Sequence, residues 1–365
     1  MQKITESLQE EIMHLKLIST LLLIAALGTV AEEVRWPVPP SGFSSRKNNI
    51  PHGTMSDVLK YKATGFSDEK PIKVYTPPNY SAITATKYPV LYLLHGIGGN
   101  ESAWTSSEGN ADNVMDFLYS ENKAVPMIVV MPHGGTFGGD DFARFAKFED
   151  VLIKDLIPYI EKTFNASPDS NMRAIAGLSM GGGQTLNFGY KYPKVFTWIG
   201  AFSPAPNTAS AATTITDMTS VKANIHLNFL AAGTAESMFL TTARTYHDYL
   251  NQNGVKNLYL QVEQGLNHEP ENWNRQLYNF AQRIFQGITT NVAQPEHNKL
   301  VPVAKASVST QKMLISRNSG ADSKPWGVFI AQTENTSSQV YTLTGRTTTT
   351  FRDLNVSIPT SRNIK

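Results

Sequence analysis

Gly177-Leu178-Ser179-Met180-Gly181 has the form G-x-S-x-G. That spacing suits a serine on a sharp turn between a strand and a helix, where only small neighbours fit beside a strained backbone. The turn lifts the hydroxyl above the sheet. The helix that follows aims its positive dipole end at the same spot. The chemistry implied is nucleophilic attack by an activated hydroxyl on an acyl carbon. Five residues alone are weak evidence, and chance matches are common. The surroundings strengthen it, because residues 173–176 read as a strand and residues 182–190 as the start of a helix.

A serine hydroxyl is a poor nucleophile until a base takes its proton. Around such a turn the partners follow in the order serine, acid, histidine. After Ser179, His226 opens an expected strand and His247 sits inside an expected helix. His268 lies in a loop between an expected strand at 258–262 and the last helix, where a ligand-facing group belongs. It is the candidate base. The following Glu269-Pro270 makes no zinc signature, since H-E-x-x-H is absent. The acid should sit after the preceding strand, and residues 232–237 hold one acid, Glu236. Asp217 is the runner-up. Asp248 lies in an expected helix and is disfavoured.

The reaction also needs donors for a developing oxyanion. One is the backbone N–H of Met180, directly after the nucleophile. The other comes from a loop two strands earlier. Counting back, 127–131 is one strand earlier and 90–94 is two, so His95-Gly96-Ile97-Gly98-Gly99 outranks His133-Gly134-Gly135 and the Ile97 N–H is the second donor. Residues 134–139 read as a rim loop. They are not a phosphate cradle, since no Gly-Lys-Ser/Thr follows.

These residues need a frame. Continuous apolar runs at 90–94, 127–131 and 198–202, and a mostly apolar strand-like stretch at 225–231, alternate with helical patterns at 110–121, 148–164, 240–252 and 273–284. Pro158 should kink the second of these helices or restart it. Strand and helix in alternation, with buried-type strands, mean an α/β protein with a mostly parallel central sheet flanked by helices. Residues 56–288 form this domain. Residues 32–55 are rich in Pro and Ser and read as a leader. Residues 289–365 are rich in Thr and Ser, with short alternating stretches at 312–316, 326–331 and 339–344. They read as a linker or a truncated β-rich module, a short β-rich or irregular C-terminal extension.

Residues 17–27 are almost continuously apolar, preceded by Lys16 and followed by Thr29-Val30-Ala31. That is the build of a secretory signal peptide over 1–31, about half the length of a membrane helix. Glu6, Glu10 and Glu11 are the wrong charge for its start, which points to initiation at Met13 and an upstream extension over 1–12. The expected location is secreted, extracellular or periplasmic, with no membrane span.

Composition narrows the classes. Lys plus Arg is 32 and Asp plus Glu is 30, a net charge of +2, so there is no global field to hold nucleic acid. With no Cys, disulfides, thiolate zinc sites and Cys nucleophiles are excluded. The expected chemistry needs no metal and no cofactor. Composition leaves the oligomeric state open.

Residues 92–100 (Tyr-Leu-Leu-His-Gly-Ile-Gly-Gly-Asn), residues 173–182 around Ser179, and His268 followed five residues later by Trp273 resemble the esterase D-like α/β-hydrolases. Within them the chain is most similar to secreted feruloyl and acetylxylan esterases of the first carbohydrate esterase family. The resemblance covers about 56–288. It implies an α/β-hydrolase fold and a serine esterase acting through an acyl-enzyme. It puts the nucleophile on Ser179, the base on His268 and the acid on Glu236, where many members have Asp. It implies hydroxycinnamoyl esters (ferulate, coumarate) on arabinoxylan as substrate, or acetyl esters, with plant cell-wall polysaccharide or its feruloylated oligosaccharides as partner. A ferulate slot needs flat apolar walls, and Trp104, Phe202, Phe239 and Trp273 are candidates, although core packing is the commoner use of such rings. Rival readings are another esterase D-like hydrolase or acyltransferase and, from a different class, a non-catalytic carbohydrate-binding protein.

Overall fold

The computed structural model describes residues 36–135, 141–288, 328–333 and 336–342. The signal peptide expected over 1–31, the alternating stretch at 312–316 and most of the expected rim loop at 134–139 lie outside the described residues. The chain divides into two units between Asn298 and Lys299.

The first unit is built on a nine-stranded sheet. The strands are β1 (Thr54–Met55), β2 (Leu59–Lys62), β3 (Glu69–Thr76), β4 (Val90–Leu94), β5 (Ile128–Pro132), β6 (Arg173–Leu178), β7 (Trp198–Phe202), β8 (Leu227–Gly233) and β9 (Leu258–Glu263). Their order is β1-β3-β5-β4-β6-β7-β8-β9, with β2 also pairing β3. From β5 to β9 every pairing is parallel, and β1, β2 and β3 pair antiparallel at one edge. The helices are α1 (Ala111–Ser120), α2 (Asp141–Val151), α3 (Ile157–Thr163), α4 (Ser179–Lys191), α5 (Ala211–Thr214), α6 (Met218–Asn224), α7 (Ser237–Gln252) and α8 (Pro270–Ala281). This is the α/β-hydrolase fold, with its mostly parallel sheet between two helical layers.

The period of two along β4 explains why the strand is apolar throughout. Val90, Tyr92 and Leu94 pack on one face with Leu152, Leu156, Leu186 and Tyr246 from α4, α7 and the helical turns before α3. Leu91 and Leu93 pack on the other with Val114, Leu118, Leu277 and Phe280 from α1 and α8. A strand covered on both faces has no polar side to show. Pro158 falls in the first turn of α3. A π-helical turn, Leu152–Leu156, joins it to α2, so the long helical pattern is kept by a local change of winding.

Residues 36–55, expected as a leader, pack on the sheet and its helices. The Trp36 indole N–H donates to the Leu260 carbonyl at 3.0 Å, and its ring meets the edges of Phe229 and Tyr259. Phe43 is buried against Tyr278. The buried carboxylate of Asp116 on α1 holds His52 Nδ1 at 2.6 Å, the Gly53 N–H at 2.8 Å and the Tyr75 hydroxyl at 2.7 Å.

In the second unit β10 (Val328–Thr333) and β11 (Thr336–Thr342) pair antiparallel, with Val328 opposite Thr342 and Ala331 opposite Gln339.

Candidate active site

The chain leaves β4 on one side and returns to add β6 on the other, and the carboxyl ends of strands around such a switch point frame a crevice. β6 ends at Leu178 with extended angles, φ −107° and ψ 152°, and the next residue, Ser179, opens α4 at φ +51°. A left-handed serine at the head of a helix is strained backbone, which persists only where packing over-determines it. Here the packing is visible. A Cβ at Gly177 would lie 2.6 Å from the Gly181 carbonyl oxygen, and one at Gly181 would lie 2.5 Å from that of Leu94. Both flanking positions must therefore be glycine.

Ser179 Oγ lies 3.0 Å from Nε2 of His268, on the loop between β9 and α8. The other ring nitrogen, Nδ1, lies 2.7 Å from Oε2 of Glu236, on the turn between β8 and α7. A carboxylate only accepts, so the proton belongs on Nδ1, and Nε2 is left to accept from the serine. Glu236 is buried at 4% exposure and its Oε1 is fully engaged. It accepts from the Gly233 N–H at 2.6 Å, the Ser203 hydroxyl at 2.6 Å and Asn272 Nδ2 at 2.7 Å. Asn272 also donates to the Asn267 carbonyl, next to His268, and accepts from Gln276. Neither Ser203 nor Asn272 belongs to a sequence motif. The available signals are slight: Asn272 is a polar residue on the buried face of α8, and Ser203 directly follows an apolar strand and adopts φ +44°.

Asp217, the runner-up acid, caps α6 by accepting from the Ser220 N–H at 2.9 Å. His226 contacts Asn171 and His247 contacts Asp248.

Of the four rings considered as walls, two face the imidazole. Phe239 stacks on the His268 ring with centroids 3.8 Å apart, and Trp273 meets it edge-on at 4.9 Å. Trp104 and Phe202 do not suit the wall role. They are 1% and 0% exposed and pack edge-to-face on each other in the core, and the Trp104 N–H is taken by the Leu94 carbonyl. A ring with no free face cannot meet a ligand. Ile97, one residue after Gly96, and Met238, two residues after Glu236, are exposed large apolar side chains, at 51% and 53%.

The loop after β4 lies against Ser179, since a Cβ at Gly96 would come within 3.2 Å of Ser179 Cβ. Its first residue, His95, is buried, and burial pushes its pKa down to about 4. Its Nε2 accepts from the Gly134 N–H at 3.0 Å, so its Nδ1 carries the proton and donates to the Gly96 carbonyl at 2.6 Å. The Gly96 N–H donates to Glu108 Oε2 at 2.9 Å. Among the described residues no cluster of His, Asp and Glu is arranged to hold a metal ion, and no helix is long and apolar enough to cross a membrane.

Comparison with known proteins agrees with this geometry. The chain is 33% identical over 258 residues to an endo-1,4-beta-xylanase/feruloyl esterase of Xylanibacter ruminicola, a match covering 68% of this chain and 34% of that protein. The chain thus spans about a third of that relative's length. Among solved structures it resembles a ferulic acid esterase at 25% identity and TM-score 0.55, covering 64% of this chain and 99% of the other. It shares the fold of a CE1 ferulic acid esterase from Anaeromyces mucronatus at 22% identity and TM-score 0.58, covering 69% and 97%. Residues 64–302 match the model of the Esterase family, whose description reads "Putative esterase". The chain belongs to this esterase family.

Proposed function

We propose that the protein is a secreted serine esterase that releases hydroxycinnamoyl groups such as ferulate and coumarate from arabinoxylan. The observation that carries the reading is the relay Ser179 Oγ, His268 Nε2, His268 Nδ1, Glu236 Oε2, with links of 3.0 and 2.7 Å. Ser179 attacks the ester carbonyl as His268 takes its proton. The Met180 and Ile97 amides receive the negative oxygen; a preorganised donor of this kind typically contributes about 3–4 kcal/mol. The sugar hydroxyl leaves with the proton from His268. Water, deprotonated by the same imidazole, then attacks the acyl-enzyme and frees the acid. Glu236 keeps the Nδ1 tautomer and stabilises the imidazolium as it forms.

The choice of acyl group rests on the xylanase/feruloyl esterase relative. The apolar run at 17–27 behind Lys16 supports export. The test is to incubate the protein with feruloylated and with acetylated xylan and identify the acid released. Ferulate release is expected. Acetate alone would make the protein an acetylxylan esterase, and neither acid, with no labelling of Ser179 by a fluorophosphonate, would remove the esterase reading.

A further inference from the structure

Glu108 is a buried carboxyl beside the nucleophile for which the two-step mechanism has no use. It follows the 3₁₀ turn Ala103–Thr105, is 9% exposed, and its Oε2 accepts from the Gly96 N–H at 2.9 Å. Its other oxygen fills the space inside the loop. A Cβ at Gly99 would lie 2.6 Å from Oε1, and one at Gly96 would lie 3.1 Å from it. The loop after β4 is thus wrapped around this carboxyl.

Gly96 is gripped on both sides, its N–H by Glu108 and its carbonyl by His95 Nδ1 at 2.6 Å. The Gly96 carbonyl and the Ile97 N–H belong to one planar unit. The described residues contain no cis peptide, so the two groups point in opposite directions. Whatever fixes the Gly96 carbonyl therefore aims the Ile97 N–H. The same carbonyl also accepts from the Gly99 N–H at 3.2 Å, so the plane of the Ile97 N–H is held directly, while the Glu108 bond holds the plane before it and leaves only the two Gly96 torsions between the held planes. We propose that Glu108 is a positioning residue for the oxyanion-binding loop: by holding the Gly96 N–H it fixes the peptide that leads into the one carrying the Ile97 N–H, and so limits how that N–H can turn relative to the oxygen developing beside Ser179. This rests on the serine-esterase reading above.

A negative charge this close to an oxyanion would oppose the reaction. Burial answers part of that objection, because it pushes the Glu108 carboxyl above the usual carboxylate range, partly offset by the Gly96 amide and by His268. The acid and the carboxylate both keep an oxygen able to accept from Gly96. What the role needs is an acceptor, and the charge is dispensable.

That distinction sets the test, with methyl ferulate as substrate and an aryl trifluoromethyl ketone as the analogue that forms an oxyanion on Ser179. Glu108→Met keeps the bulk and removes the acceptor. Its kcat is expected to fall about 10- to 100-fold, at or below the low end of the roughly 100- to 1000-fold loss seen when an oxyanion donor is removed outright. The ketone should weaken by a similar factor, with KM and inhibition by ferulate unchanged. Glu108→Gln keeps an acceptor without charge and should hold wild-type kcat within about threefold. If Glu108→Met does not fold, the folded Glu108→Gln and Glu108→Asp variants carry the test. The Asp arm is one methylene short, so kcat and ketone affinity should fall together. Wild-type kcat in a folded Met or Asp variant would overturn the proposal, as would a Gln variant as slow as Met or a loss of ferulate inhibition equal to the loss in kcat. Ser179→Ala is run alongside. If it retains activity the esterase mechanism itself fails. If it is inactive while Glu108→Met is normal, only the role of Glu108 fails.

Discussion

Asn272 Nδ2 donates to Glu236 Oε1 at 2.7 Å and to the Asn267 carbonyl at 3.0 Å, so one amide ties the carboxylate to the loop that carries His268. Asn272→Ala leaves a buried carboxylate oxygen and a loop carbonyl short of a donor. The expected cost is about 1–3 kcal/mol in stability. Because the acid and the base lose their common anchor, kcat should also fall about tenfold or more with KM little changed. Urea unfolding together with steady-state kinetics checks both. Normal kcat in a destabilised variant would make Asn272 purely structural.

The two candidate acids separate cleanly by mutation. Glu236→Gln should reduce turnover by orders of magnitude, since the amide no longer holds the Nδ1–H tautomer of His268. Asp217→Asn should leave kcat unchanged and cost at most about 1 kcal/mol, because the side chain caps α6. His268→Ala should fold and be nearly inactive. Rates with methyl ferulate and unfolding midpoints decide the matter, and damage to kcat from Asp217→Asn would reassign the acid.

Burial holds His95 neutral down to about pH 4, against 6.5 for the free side chain. Between those values the unfolded chain takes up a proton that the folded protein refuses. Stability from this group is therefore present above pH 6.5 and is lost as pH falls towards 4, a change of about 3 kcal/mol at most. His95→Asn lacks the titration. Unfolding free energies of wild type and variant, measured from pH 7 to pH 4.5, should converge on the acid side. Parallel curves would mean that His95 titrates normally.

Asp116 accepts from His52, Gly53 and Tyr75 together, which fastens the N-terminal segment to α1 and β3. Asp116→Ala should cost about 2–4 kcal/mol, since the buried Tyr75 hydroxyl and two half-buried donors, His52 and the Gly53 N–H, lose their partner at once. Amide exchange should accelerate around Gly53 with little change at Ser179. Unchanged exchange there would show that Trp36 and Phe43 hold the segment by themselves.

What the sequence reveals depends on how local the cause is. β4 and β7 run over the expected residues, 90–94 and 198–202, because a strand buried on both faces is written as an unbroken apolar run. β2, Leu-Lys-Tyr-Lys at an edge, looks like solvent-exposed chain, and only its pairing with β3 makes it a strand. Ser179, Glu236 and His268 follow one another in the chain order that this turn requires, so the type of each residue and its place after a strand point to it. Ser203, Asn272 and Glu108 act through partners 12 to 36 residues away, and no local pattern announces them. Trp104 and Phe202 were open to either use, since a ring in sequence shows its flatness and not which way it faces.

The ladder between β4 and β6 pairs Leu94 with Gly177. The loop bearing Ile97 and the turn bearing Ser179 both start within two residues of that rung. The proposed oxyanion donor and nucleophile are thus spaced by main-chain hydrogen bonds between adjacent strands, independent of the outer loops. Those loops can be lengthened or exchanged to suit a bulkier ester while the distance at the reacting carbon stays the same. A slip of one rung would displace it by about 3.3 Å, the rise of one strand residue.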